Sequence, residues 1–339
     1  MASALTSCWS IHRATIQASD QQKLIRMLAT LQVILPAAVI VIAGFVAGKR
    51  VLDAAGIRAL SDLAFFLFLP CLLFRSMASA RFDGSDVAVL AAYFGASLVW
   101  FFVVALFSRQ QRNESTPGAI VLGLGAVFSN TVQLGIPIQK LAFGDAGLKL
   151  HLSIIAIHSL VLLTTATVWL EIWKTRQSPN EHGLASNLLQ VVKASVLHPV
   201  ILPIIAGLLW SFSGFPLPEW ADQPLGFLAS AAGPLMLVLM GAQLSTMRLS
   251  EHLRGAVALT IAKNFLHPLF VAIACWALGL PVAVSAVAIT CAALPMGNNV
   301  FLFAQRYQTN ENAITAATAL SSLVAVVSLT IALSILPRP

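Results

Sequence analysis

Two apolar stretches of the chain each contain, near the middle, a short polar segment that also carries a glycine and a proline. The first is SNTVQLGIP, from Ser129 to Pro137, and the second is ALPMGNN, from Ala293 to Asn299. Proline has no backbone N–H and its ring crowds the carbonyl four residues earlier, so each segment should interrupt a helix. In a membrane the released backbone groups need polar partners, which amide side chains, water, an ion or a substrate can supply. The pattern therefore predicts a binding site built from two helix breaks.

The candidate substrate-binding residues share a position in these two segments. They are Asn130, Thr131, Gln133, Gly135, Pro137, Pro295, Gly297, Asn298 and Asn299. The prolines are expected to free the carbonyls of Gln133 and Cys291, and the glycines to loosen the backbone beside each break. A half-helix that starts at each break directs the positive end of its dipole into the site. Such a site suits an anion.

A lysine lies about midway along a third apolar stretch, LTIAKNFLHPLF. A cation at that depth costs about 2.5 kcal/mol or more, so Lys263 should face a cavity or a partner. His267 follows one turn later on the same face. Three roles are open for this pair: positive charge near an anionic substrate, coupling to a proton or another ion, or a structural bond from Lys263 to the broken backbone of a neighbouring span.

The composition places the chain in a membrane. Of its 339 residues, 58% are hydrophobic and 10% are charged, and the mean hydropathy is +0.86. A soluble domain carries about 25% charged residues. Ten apolar runs are long enough to cross a bilayer as helices. They lie near residues 31–48, 60–79, 86–107, 117–143, 150–173, 194–212, 225–246, 255–279, 281–305 and 312–336.

The runs repeat in two halves. Ile42-Ala43-Gly44 matches Ile205-Ala206-Gly207 at an offset of 163, Pro70 matches Pro234, and Asn130 matches Asn298. The sequence thus predicts an all-α membrane protein with a polar leader at 1–30, a five-helix repeat at 31–173, a cytoplasmic linker at 174–193 and a second repeat at 194–336. Five spans per half require the second half to enter the membrane from the opposite side, as in many secondary transporters.

Charge indicates the orientation. Placing both termini outside puts eleven lysines and arginines in the inner loops and eight on the outer side. The net charge of +7 therefore reflects loop bias rather than nucleic-acid binding. We expect a multi-pass protein of the plasma membrane, the inner membrane in a bacterium. The leader lacks the apolar core of a signal peptide, and Met27 is a second candidate start. Four cysteines without a CxxC motif predict no disulfide and no metal site, and no cofactor is expected.

No enzyme motif of the GxSxG, HExxH or P-loop type occurs, so an enzyme or an ATP-driven pump is disfavoured. The alternatives to an organic-anion carrier are a sodium-coupled carrier like the bile-acid symporters and, in another class, a channel or a membrane sensor. Proton coupling, sodium coupling and uniport stay open, as do the substrate and the direction of transport.

Five segments together resemble the auxin efflux carrier family, which includes plant PIN-type exporters and bacterial carriers assigned to malonate or other carboxylates. They are FSNTVQLGIPIQKLAFGDAGL, AALPMGNNVFLFAQRY, LHPVILPIIAGLL, AAGPLMLVLMGAQL and AKNFLHPLF. The resemblance implies spans four and nine that cross at their prolines, with Asn130 and Asn298 on either side of a carboxylate. It also implies a scaffold and homodimer surface from spans 1, 2, 6 and 7, and an elevator-like transport domain from spans 3–5 and 8–10. Val132-Gln133 replaces the usual glycine–aromatic pair, so the substrate of a relative does not transfer directly.

Overall fold

The protein is described by a computed structural model over residues 32, 35–79, 84–111, 114–177, 201–246 and 253–335. Within these ranges the regular secondary structure is helical, and the one β-type contact is an isolated bridge. The predicted leader at 1–30 lies outside the described residues, and so does the predicted linker from residue 178 onward.

The helices are numbered here in chain order over the described residues. They are α1 (35–50), α2 (Ala54–Leu63), α3 (Leu69–Ala78), α4 (Gly84–Gln111), α5 (Thr116–Val127), α6 (Ile136–Gln177), α7 (Ile201–Ser213), α8 (Glu219–Thr246), α9 (Leu253–Ile261), α10 (His267–Ala277), α11 (Val282–Ala293), α12 (Asn299–Arg306) and α13 (Glu311–Ile335). Helix α6 bends at Gly144, whose φ of 64° and ψ of −153° are not helical.

Six segments of the described chain are long and apolar enough to cross a membrane. They are Ala54–Ala78, Asp86–Gln111, Thr131–Leu170, Glu219–Thr246, Leu253–Ala277 and Glu311–Ile335. Helices α5, α7 and α11 are apolar but shorter. The protein is therefore an all-helical, multi-pass membrane protein. The count of ten spans and the inverted repeat stay predictions, because the fourth and ninth apolar runs are each divided by a break.

Three wide helical turns precede prolines in the same register. The π-helical turns Ala64–Phe68, Thr131–Gly135 and Ala262–Leu266 each end two residues before a proline, at positions 70, 137 and 268. A proline ring would collide with the carbonyl of a regular turn, and it cannot donate a hydrogen bond to that carbonyl. A single π turn changes the register of the preceding carbonyls and lets the helix continue. These prolines therefore widen their helices without ending them.

Two pairs of helices approach each other closely at glycines. A Cβ atom on Gly241 of α8 would lie 1.9 Å from the carbonyl oxygen of Val41, and one on Gly44 of α1 would lie 2.2 Å from that of Val238. Helices α7 and α3 make the equivalent contact, where a Cβ on Gly207 would lie 2.5 Å from the carbonyl oxygen of Phe74. Small residues at such contacts let helix backbones pack directly in a membrane.

The α1–α8 contact gives a test of the fold. Gly241→Ala should force these helices apart, and overpacking of this kind costs about 1–3 kcal/mol. The melting temperature in detergent should fall. Gly95→Ala on α4 is the matched control, because nothing lies within 4 Å of its added methyl group. A G241A protein as stable as G95A would contradict the close approach.

Candidate binding site at the helix crossing

The two predicted breaks lie side by side and are joined by backbone hydrogen bonds. The N–H of Asn130 donates to the carbonyl of Pro295 at 2.7 Å, and the N–H of Gly297 donates to that of Phe128 at 3.0 Å. Together these bonds form an antiparallel bridge between Ser129 and Met296. Backbone groups that each half-helix cannot satisfy are thus satisfied by the other, which stabilises non-helical backbone inside an apolar protein.

The position at which the two segments cross differs in one respect from the position that the family resemblance implies. On the second chain segment it includes Pro295, as expected, but on the first it lies at Phe128–Asn130, before the π turn, and Pro137 lies two turns further along. Glycines make the approach possible: a Cβ on Gly297 would lie 3.0 Å from the carbonyl oxygen of Ser129. A Cβ on Gly135 would lie 2.6 Å from Nε2 of His151.

Four amide side chains form a continuous hydrogen-bonded chain beside the crossing. Asn130 Oδ1 accepts the backbone N–H of Gln133 at 3.2 Å, and Asn130 Nδ2 donates to Gln133 Oε1 at 3.3 Å. Gln133 Nε2 and Asn298 Nδ2 then both donate to Oε1 of Gln243, each at 3.2 Å. The candidate residues Asn130, Gln133 and Asn298 are therefore brought together through Gln243.

The direction of this amide chain follows from its first bond. A backbone N–H can only donate, so Asn130 must present its oxygen to Gln133 N and its nitrogen to Gln133 Oε1. Gln133 is then left with its nitrogen facing Gln243, which must present an oxygen. Asn298 in turn donates to that same oxygen. One acceptor atom thus receives N–H groups from both breaks.

Gln243 was missed by the sequence reasoning. It lies on α8, far along the chain from both breaks, and no spacing rule connects positions 133, 243 and 298. The sequence offered only one indication of Gln243: it is an amide in the segment GAQLST, near the end of an otherwise apolar run. A polar residue at membrane depth is costly and usually has a partner, so Gln243 could have been included as a candidate.

The other predicted site residues have structural positions at the breaks. The side chain of Thr131 is buried, and its carbonyl accepts from His151 Nε2 at 2.7 Å. His158 Nε2 accepts the N–H of Ser129 at 3.3 Å. Both histidines are buried, and each is hydrogen-bonded to the backbone of the first break. Asn299 begins α12, one residue beyond Asn298, and is partly exposed.

Lys263 caps the broken end of α11. Its ammonium donates to the carbonyls of Ala292 and Leu294, both at 2.7 Å, and the side chain is fully buried. The carbonyl of Ala293, between these two, accepts from Ser328 Oγ at 3.0 Å. A helix C-terminus carries unpaired carbonyls and partial negative charge, so a cation stabilises it. This contact is the one that the structural alternative for Lys263 requires.

One expectation about this end was wrong. The carbonyl of Cys291 was expected to need a side chain, an ion or a substrate because of Pro295. It instead accepts the N–H of Leu294 at 3.3 Å, since α11 ends at Ala293 and Leu294 has extended backbone. The carbonyls that require outside partners are the next ones along the chain.

A second polar set holds the same break from the side of α13. Ser321 Oγ accepts the N–H of Met296 at 2.9 Å and donates to Asn264 Oδ1 at 2.6 Å. Asn264 Nδ2 contacts the carbonyl of Ser321 and the hydroxyl of Ser328. Lys263 and Asn264 therefore brace the break from one π turn, which presents both side chains to the core.

His267 is not part of the amide chain; its side chain is hydrogen-bonded to Ser97 of α4. The Ser97 hydroxyl donates to the carbonyl of Tyr93 at 2.7 Å, so His267 Nε2 donates to Ser97 Oγ at 2.9 Å. The phenol of Tyr93 in turn accepts from Cys291 Sγ at 3.7 Å. The predicted coupling pair is thus buried, and its two members have different partners. Lys263 is hydrogen-bonded to the end of α11, and His267 is hydrogen-bonded to Ser97 of α4.

A cavity of about 740 Å³ lies between α1, α3, α8 and the start of α6. Its lining includes Ile136 and Pro137, which follow the first break, and charged groups on α3 and α6. Arg75 donates twice to Asp222, at 2.6 and 2.9 Å, Lys140 pairs with Asp145, and Lys149 pairs with Asp86 at 2.9 Å. Most of the other lining residues are apolar, and the charged lining residues are paired. Among the described residues no group of three His, Cys, Asp or Glu side chains could hold a metal ion.

The comparisons with known proteins agree with this architecture. A family model described as "Membrane transport protein" matches residues 29–333. A "Putative malonate transporter" of Rhizobium meliloti (strain 1021) is 24% identical over 275 residues, 80% of this chain and 84% of that protein. "Auxin efflux carrier component 8" of Arabidopsis thaliana is 22% identical over 251 residues, 61% of this chain and 68% of that protein.

Helices of membrane-spanning length together with these matches define a membrane transporter and not an enzyme. The match covers most of the chain, which therefore belongs to the auxin efflux carrier family.

The contacts of Lys263 predict the effect of removing its charge. Lys263→Met should leave the carbonyls of Ala292 and Leu294 unpaired, at a cost of about 1–3 kcal/mol for each, and should lower the melting temperature in detergent. Lys49→Met is the control, since Lys49 is exposed at the end of α1. If K263M and K49M have the same melting temperature while K263M loses ligand binding, Lys263 acts on the ligand and not on the helix end.

Proposed function

We propose that the protein is a secondary transporter of a small organic anion, a mono- or dicarboxylate, bound at the crossing of the two helix breaks. The observation that carries this proposal is the meeting of Gln133 and Asn298 at one acceptor oxygen. Two amide N–H groups, one from each break, converge on a point where a carboxylate oxygen fits. Asn298 is exposed and Gln243 is half-buried, so a solute can reach this point.

The charge distribution favours an anion. Asn130 and Asn298 are the N-caps of the helical segments that begin at the two breaks, so the positive ends of two helix dipoles lie near the amides. The buried ammonium of Lys263 is bonded to the carbonyl of Leu294, next to Pro295. Two helix N-termini and one buried ammonium group thus lie at the crossing. The names of two relatives, one for malonate and one for auxin, are both names of carboxylate transporters.

The proposed movement is of the elevator type. Spans 1, 2, 6 and 7 form the scaffold and the homodimer surface, and spans 3–5 and 8–10 form the transport domain. One core cluster has all of its members in the proposed transport domain, within residues 100–170 and 256–317, whereas the other two clusters contain residues of both sets. The inverted repeat is supported by the equivalent glycine contacts, where Gly44 of span one packs on span seven and Gly207 of span six packs on span two. The proposed location is the plasma membrane, with both termini outside.

Coupling to a proton or to sodium belongs to the same proposal. Lys263 and His267 are the proposed electrostatic or coupling groups, and they would act through the break that Lys263 holds. The second candidate, a sodium-coupled carrier like the bile-acid symporters, shares this site and differs in requiring sodium for binding. A channel would conduct without saturation, whereas a carrier saturates and shows counterflow.

The direct test is ligand-induced stabilisation of the purified protein. A carboxylate panel of malonate, succinate, indole-3-acetate and glutamate is screened by thermal shift, with and without sodium. A ligand that binds the folded state at one hundred times its Kd raises stability by about 2.7 kcal/mol. We expect at least one acid to shift the melting temperature.

Asn298→Ala should abolish that shift, because it removes one of the two converging donors, and Asn130→Ala should do so by releasing the amide of Gln133. Gln305→Ala is the control for Asn298, since Gln305 is an exposed amide on the same half-helix, α12. The unliganded melting temperature of each variant reports folding separately. An unchanged ligand shift in folded N130A and N298A would contradict the site, and no response to any acid would contradict the function.

A further inference from the structure

Gln243 accepts hydrogen bonds from Gln133 and Asn298, and it lies in a different set of helices from these two donors. It lies on α8, which is part of the proposed scaffold, while Gln133 and Asn298 lie in the proposed transport domain. Its single oxygen accepts from both donors at 3.2 Å. This oxygen occupies the point where the two breaks aim their N–H groups.

The Gln133 donor is held in place by a chain of hydrogen bonds that starts at the backbone. Because the Gln133 N–H fixes Asn130, and Asn130 fixes the Gln133 amide, the Gln133 donor is directed at this point whether or not Gln243 is present. Removing Gln243 would leave that donor in position and without its acceptor. A buried donor without an acceptor is costly, so an anion that reaches the point is bound more tightly.

From this geometry we propose that Gln243 is an internal competitor for the substrate carboxylate. In the substrate-free protein its amide oxygen occupies the carboxylate position and links the two helix sets. An arriving carboxylate displaces it and takes over the donors of Gln133 and Asn298. The link from α8 to the breaks is then released, so binding frees the transport domain to move. This inference rests on the proposed function, since it concerns the same site.

The chemistry of the exchange favours the anion. An amide oxygen and a carboxylate oxygen present similar acceptor geometry, but a charged acceptor makes hydrogen bonds that are shorter and about twice as strong. Gln243 has the advantage of being tethered nearby, which raises its effective concentration. The two effects oppose each other, so a neutral internal acceptor can hold the donors and still give way to a carboxylate.

The test measures the Kd of malonate and of indole-3-acetate for the full-length protein, purified in nanodiscs, by isothermal titration calorimetry. Gln243→Ala removes the competitor and should lower the Kd about fivefold, the equivalent of one net hydrogen bond. Gln243→Asn keeps the amide but is one methylene shorter, and should behave like Q243A. Gln243→Glu places a tethered carboxylate at the point and should raise the Kd about tenfold.

Gln223→Ala is the matched control, because Gln223 is an exposed glutamine near the start of the same helix. Its Kd should equal that of the wild type. A residue with a merely structural role would weaken binding, or leave it unchanged, in all of the Gln243 variants. Opposite changes in Q243A and Q243E are therefore specific to a competitor.

The outcomes separate the two proposals. If the wild type and Q223A bind none of the acids in the screen, the proposed function fails and the competitor role fails with it. If the wild type binds but Q243A binds equally or more weakly, only the competitor role is overturned. Should Q243A not fold, as judged by its melting temperature, Q243N and Q243E still decide the question by the direction of their Kd changes.

Discussion

Two backbone hydrogen bonds between chain segments far apart in sequence constrain the rest of the site. The bonds from Asn130 N to Pro295 O and from Gly297 N to Phe128 O pair backbone groups that two interrupted helices would otherwise leave without partners inside an apolar protein. These bonds bring together the ends of the helices at the two breaks, the N-caps Asn130 and Asn298, and the side chain of Gln133. Glycine at positions 135 and 297 permits close packing here, because a Cβ on Gly135 would lie 2.6 Å from His151 Nε2 and one on Gly297 would lie 3.0 Å from the carbonyl oxygen of Ser129.

The crossing also explains why a lysine can be fully buried. The cost of removing an ammonium group from water is several kcal/mol, and it is offset only where the group is well hydrogen-bonded. Lys263 makes two bonds of 2.7 Å to carbonyls at the negative end of α11. Its position follows from the π turn before Pro268, which presents Lys263 and Asn264 to the same break. The positive charge near the candidate site is thus that of Lys263, whose hydrogen bonds are to backbone carbonyls at the end of α11.

The sequence predicted that both polar segments depart from regular helix, but it placed the first break at Pro137, whereas the structure has it at Phe128–Asn130. It named Asn130, Gln133 and Asn298 as candidates, and their side chains lie in one hydrogen-bonded chain through Gln243. It could not find Gln243, because that contact depends on how α8 packs against the breaks. It misjudged Cys291, because whether a carbonyl needs an outside partner depends on where the helix ends, and a proline fixes that end only to within a few residues.

The π turns likewise depend on tertiary packing that the sequence does not reveal. Prolines at positions 70, 137 and 268 were visible in the sequence, but a proline can kink, end or widen a helix, and the surrounding packing decides which occurs. Here all three widen the preceding turn. The local chemistry therefore predicted where the helices depart from regularity, and the tertiary contacts determined how.

Whether the carboxylate binds at the crossing is measured most directly by an experimental structure with a bound acid from the ligand screen. We expect the carboxylate at the crossing, with an oxygen within hydrogen-bonding distance of Gln133 Nε2 and Asn298 Nδ2 and with Gln243 displaced from both. A carboxylate located in the cavity beside Arg75 and Lys140, with the amide chain from Asn130 to Asn298 intact, would contradict it.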